Sequence, residues 1–220
     1  MGKVVTIVSG LPRTGTSLMM KMLEAGGMEV VVDNIRKADE DNPGGYYEFE
    51  KVKEIKEDKS WLEQAGGKVF KMVSMLLYDL PADFTYKVVF MEREMGEMLA
   101  SQRKMLERKG QDTGAENDAE NKRLYEKHLT EIKDWLKGRA NINVLYINYN
   151  ETMADPHKSA DAVNGFLGGG LDVGRMAGVL DKSLYRNKSA AVSGEAGGEE
   201  LDKDSEDEMI KAKLSSLGYM

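Results

Sequence analysis

A chain of 220 residues, 41% of them apolar and with a net charge of −7, fits one globular domain with a sizeable core and offers no basic field for nucleic acid. No apolar run reaches the ~18 residues of a membrane span, and the first apolar segment, VVTIVSG, is too short for a secretory signal core, so a cytoplasmic setting is expected. The absence of cysteine excludes disulfides, thiol catalysis and thiolate metal sites.

Val4–Ser9 is a β-branched run ending at glycine and predicts a buried strand. Leu18–Ala25 places Leu, Met and Ala at helical spacing before Gly26-Gly27, which predicts a helix with a glycine stop. Further strands are expected at Glu29–Val32, Val69–Val73, Lys87–Glu92 and Asn143–Asn148. Helices are expected near Glu48–Gln64, Glu94–Arg108, Asn121–Lys137 and His157–Leu167. This alternation predicts an α/β fold: a three-layer sandwich with a central, mostly parallel sheet flanked by helices, of the P-loop type. Lys109–Asn121 is polar and glycine-containing and is expected to form a mobile loop. Beyond Ser189 the chain carries eight acidic residues and three lysines, a net of −5 that leaves only −2 for residues 1–188. The expected organisation is therefore a domain over 1–188 and an acidic, flexible segment over 189–220, with a short helix at Met209–Leu217. The fifteen methionines are read as helical filling.

Ser9-Gly10-Leu11-Pro12-Arg13-Thr14-Gly15-Thr16-Ser17 nearly matches the phosphate loop G-x-x-x-x-G-K-[ST], with Thr16 in place of the lysine that reaches the β- and γ-phosphates. A glycine loop feeding a helix still aims backbone N–H groups and the positive end of the helix dipole at an anion. No acidic residue suited to magnesium stands at a strand end, because Arg93 follows Glu92. The anion expected here is shorter than a triphosphate and held without a metal.

GLPRTGTSLMMKML resembles the loop of the sulfotransferases that use 3′-phosphoadenosine 5′-phosphosulfate (PAPS), with its P-[KR]-[ST]-G-[TS]-[TS] core. The resemblance assigns Pro12, Arg13, Thr14, Gly15, Thr16 and Ser17 to the 5′-phosphosulfate. A second match is KVVFMEREMGEMLASQRKML. The family places an arginine after a central strand and a serine eight residues on, which implies Arg93 and Ser101 as ligands of the 3′-phosphate. In NVLYINYNETMADPHKSADAVNGFLG the family order of strand, tyrosine, Asp-Pro and helix recurs, so Tyr149 either touches adenine or packs a strand end. The resemblance spans Val4 to about Lys188. The basic R-K-G segment of many cytosolic members is missing, and Arg186 or Lys188 in LYRNKS is the available substitute.

For catalysis the resemblance offers Arg13 against charge on the transferred group. It also offers Lys71, which fits the lysine of the family's K-T-H, where Val73 replaces the histidine. The base expected is Glu48 in DNPGGYYEFE, near aromatic, partly dry surroundings suited to a proton acceptor, with Glu50 and Asp33 in reserve. Glu48 and Glu50 have an equally simple reading as first-turn helix glutamates. Tyr46 and Tyr47 either stack on an acceptor or cover a core edge. His128 and His157 are expected to be solvated. The implied function is transfer of a sulfuryl group from PAPS to a hydroxyl of a small molecule or glycan, with no metal. A kinase with a degenerate loop and a non-catalytic nucleotide-binding protein of the same fold are the alternatives.

Overall fold

A computed structural model describes residues 4–33, 35, 45–111, 118–181 and 203–219. Four strands form one parallel sheet: β1 (Val4–Gly10), β2 (Val69–Val73), β3 (Thr85–Glu92) and β4 (Ile142–Asn148), in the order β2-β1-β3-β4. Helices α1 (Thr16–Ala25), α2 (Met95–Arg108), α3 (Asp118–Lys137), α4 (Tyr149–Ala154), α5 (Pro156–Leu167), α6 (Val173–Gly178) and α7 (Lys203–Ser216) accompany it.

The two-residue period of β1 divides the interior. Val5 and Ile7 face one core with Phe70, Met72, Tyr86, Val88 and Phe90, closed by α2, α3 and α7. Val8 faces the other with Val69, Val89, Met91 and Ile147, closed by α1, α5 and α6. Both faces of the sheet are covered, which is why its strands are continuous apolar runs. The three-layer α/β architecture expected from the alternating elements is the one found.

Three elements differ from expectation. Glu29–Val32 does not extend into a strand: a single bridge joins Val30 to Val69, flanked by Val31 N–H donating to Val69 O and Val69 N–H to Glu29 O. Glu48–Gln64 is not one helix but two 3₁₀ turns, Glu50–Glu54 and Ser60–Ala65. Between Val52 and Trp61 only Ile55 is apolar, so no stripe at a 3.6-residue period can hold a continuous helix on the core. Toward the C-terminal end, the helix expected at Met209–Leu217 begins earlier, at Lys203, inside the acidic stretch expected to be flexible. Ile210, Leu214 and Leu217 bury one face of it in the first core, and the burial outweighs its acidic composition. Glu206 is buried too, paired with Arg123 at 2.8 Å and with Lys127, both on α3. Of the expected mobile loop, residues 112–117 lie outside the described residues, while 118–121 already belong to α3.

Candidate active site

The order β2-β1-β3 makes the carboxyl end of β1 a switch point, since the chain leaves β1 for β2 on one side and then crosses to β3 on the other. Open parallel sheets bind ligands at such a point. Gly10 ends β1 with φ 146°, and a Cβ there would stand 2.5 Å from the Met91 carbonyl oxygen of β3. Arg13 (φ 71°) and Gly15 (φ 93°) then take left-handed conformations before α1 begins. Such alternation turns successive N–H groups inward as an anion nest, directly in front of the unpaired donors of the first helical turn. Thr14 is buried with its hydroxyl on Leu11 O at 2.7 Å, which braces the bend.

On one side of the loop lies a guanidinium cluster. Arg13 Nε donates to Ser101 Oγ at 3.1 Å, and Arg93 Nη1 donates to Arg13 O at 3.1 Å. The structure thus brings Arg13, Arg93 and Ser101 into one contiguous group. Arg93 stands over the ring of Tyr149, 4.5 Å from its centroid, and that ring presses on Gly15. Tyr149 is buried as a packing element against the loop. Arg93 also holds Glu97, one turn along α2, at 3.3 Å, and Asn150 Nδ2 reaches the same carboxylate oxygen at 2.9 Å. Sequence reasoning missed Glu97 and Asn150. The four-residue spacing of Arg93 and Glu97 was a usable signal for the first, whereas Asn150 had none.

Lys71, Glu48, Ser17 and Tyr46 meet on the other side. Lys71 Nζ is 3.3 Å from Glu48 Oε1 and donates to Tyr46 O, which also accepts from Ser17 Oγ at 3.1 Å. Lys71 and Glu48 are both buried. A cation and a carboxylate taken from water together are retained only when each answers the other, so this pair is a shielded polar group beside the loop. The reserve carboxylates do other work: Asp33 caps the backbone, accepting from Glu50 N–H at 2.6 Å, and Glu50 forms a surface pair with Lys53. Tyr46 is buried, and Tyr47, with φ 53°, donates to Glu24 of α1 while burial pushes its phenol pKa up. Arg186 and Lys188 lie outside the described residues.

His128 overturns its expectation. It is 1% exposed, sits on the core face of α3, and shares a 2.8 Å hydrogen bond with Ser74 Oγ. Burial lowers its pKa to about 4, so the ring is neutral. His157 is exposed, as expected. Among the described residues no group of His, Cys, Asp and Glu is placed to hold a metal ion, and no helix is long and apolar enough to cross a membrane.

A parallel sheet with a glycine loop at its switch point and helices on both faces defines a P-loop-like α/β protein. The particular family follows from comparison. A family model for the sulfotransferase domain matches residues 5–213, and the chain belongs to that family. Similar solved structures include the sulfotransferase domain from the Synechococcus PCC 7002 olefin synthase (TM-score 0.53, 13% identity, 94% of each chain covered). They also include the sulfotransferase domain from the curacin biosynthetic pathway (TM-score 0.51, 15% identity, 97% of this chain and 98% of that one). Sulfotransferase STF9 from Mycobacterium avium superimposes similarly (TM-score 0.53, 12% identity, 98% and 77%). At these identities the likeness establishes the fold. No curated protein matches the sequence.

Proposed function

We propose that the protein transfers a sulfuryl group from PAPS to a hydroxyl acceptor. The observation that carries this reading, beyond family membership, is the placement of charge around the loop: arginines on one side, a buried Lys71–Glu48 pair on the other. The loop fits the 5′-phosphosulfate because its left-handed Arg13 and Gly15 turn backbone N–H groups toward one point in front of the start of α1. Pro12, Arg13, Thr14, Gly15, Thr16 and Ser17 would hold that end of the donor. Arg93 and Ser101 would take the 3′-phosphate, with Arg93 exchanging Glu97 for phosphate oxygens. Tyr149 supports this side by carrying the Arg93 guanidinium, and Arg186 remains the proposed substitute for the family's basic segment.

Catalysis then rests on positioning and electrostatics, as in phosphoryl transfer. Arg13 points toward Ser101, so Lys71 is the cation proposed to meet charge developing on the transferred group. Glu48, hydrogen-bonded to Lys71, is the proposed acceptor of the hydroxyl proton. The donor supplies the sulfuryl group and no metal is required. The acceptor class is a small-molecule or glycan hydroxyl, and the cytoplasm is the proposed setting.

Titration calorimetry with 3′,5′-ADP and with ADP tests the donor. The 3′-phosphate should strengthen binding by on the order of tenfold to a hundredfold, the effect of one or two charge-assisted hydrogen bonds. Equal affinities, or binding only with magnesium, overturn the reading. Glu48→Gln should lower turnover on the order of 100- to 10,000-fold while the nucleotide still binds.

A further inference from the structure

The helix α7 ends in a Schellman turn: Gly218, with φ 83°, donates to Ser215 O at 2.9 Å, and Tyr219 N–H donates to Leu214 O at 2.9 Å. That geometry folds the Tyr219 side chain back onto Leu214 and the core, not outward into solvent. Its ring comes to rest under Lys71, with Nζ 5.9 Å from the ring centroid. Lys71 is in turn the partner of Glu48. Tyr125 of α3 and Tyr219 share the first core, and Gln102 Nε2 of α2 reaches Pro12 O of the phosphate loop at 3.5 Å. A tyrosine ring of the chain itself thus lies against the proposed cation. The apolar anchors Ile210, Leu214 and Leu217 and the Arg123–Glu206–Lys127 ion pairs hold α7 there.

We infer that Tyr219 is a sulfation site of this protein: an intramolecular acceptor presented by the end of α7 to the Lys71–Glu48 pair. The inference rests on the proposed sulfuryl transfer from PAPS. In the step, the phenolic oxygen forms a bond to sulfur while the bond from sulfur to the 5′-phosphate oxygen breaks. The electron pair stays on the phosphate, and the phenolic proton passes to the Glu48 carboxylate. The products are a tyrosine sulfate at 219 and 3′,5′-ADP. Intramolecular delivery suits this site because the acceptor is already ordered, so no translational entropy is lost when it approaches. Once sulfated, the tyrosine carries a full negative charge beside Lys71 in place of a neutral ring.

The test uses the full chain incubated with PAPS, followed by tryptic mapping of the peptide 214–220. The expected result is one sulfo group on that peptide, absent from Tyr219→Phe, formed at a rate per molecule that dilution does not change. A second variant, Leu214→Ser, removes an anchor of α7 and should slow labelling of peptide 214–220 several-fold while 3′,5′-ADP still binds. If wild-type protein binds 3′,5′-ADP yet peptide 214–220 stays unmodified, or the label lands on another residue, the self-sulfation proposal is overturned and the donor assignment stands. Labelling that Leu214→Ser leaves at the wild-type rate overturns it as well, because delivery would then not depend on the seating of α7. Failure to bind 3′,5′-ADP defeats both readings together.

Discussion

Replacing Gly15 by alanine probes the loop with an internal control. Gly15 has φ 93°, and a Cβ there would stand 2.4 Å from Cδ2 of Tyr149. Gly27, at the other end of the same helix, has φ 101°, but a Cβ there meets nothing within 4 Å. Both substitutions carry the backbone cost of a left-handed non-glycine residue, about 1–2 kcal/mol. Only Gly15→Ala must also displace a buried ring, an overpacking cost of about 1–3 kcal/mol. Moving that ring further disturbs the seat of Arg93, 4.5 Å from its centroid. Gly27→Ala should therefore lose about 1–2 kcal/mol and Gly15→Ala about 2–5 kcal/mol by urea unfolding. In calorimetry, 3′,5′-ADP affinity should fall for Gly15→Ala alone. Equal losses in the two variants would refute the argument that the Tyr149 ring is seated on the loop glycine.

Two further outcomes follow from groups outside the loop. His128 takes a proton near pH 6.5 when unfolded but only near 4 in the fold, so between these values the unfolded chain binds more protons. Its contribution is complete above pH 6.5 and lost as pH falls toward 4, amounting to about 3 kcal/mol. Urea midpoints measured against pH should fall more steeply across this window for wild type than for His128→Gln, and parallel curves would contradict the buried neutral ring. Glu97→Gln removes the carboxylate that competes for Arg93, and 3′,5′-ADP should bind about tenfold tighter. Unchanged or weaker binding would place Arg93 outside the nucleotide site.

The phosphate loop was legible in the sequence because its conformation is decided locally: glycines at 10 and 15, a β-branched run before them and a helical stripe after them. The same local logic located β3 and the helix that carries Ser101. Where one face of a segment had to be buried, the apolar period revealed the element. It failed at Glu48–Gln64, where a lone Ile55 spans the middle, and at α7 it found the helix at Met209–Leu217 but missed its acidic first turns from Lys203.

Only the tertiary structure decided which side chains meet. Glu48 and Lys71 are 23 residues apart, Ser74 and His128 are 54 apart, and no pattern along the chain links Tyr219 to Lys71. Backbone preferences act within a few residues, whereas these contacts depend on which helix covers which end of the sheet. His128 lies on a helix rich in charge, and its burial follows from the packing of α3 on the 3₁₀ segment Ser74–Asp79. The chain's local code thus specified a loop able to cradle an anion. The folding of distant elements around that loop supplied the paired charges, because desolvation and partnership exist only once the helices have closed over the strand ends.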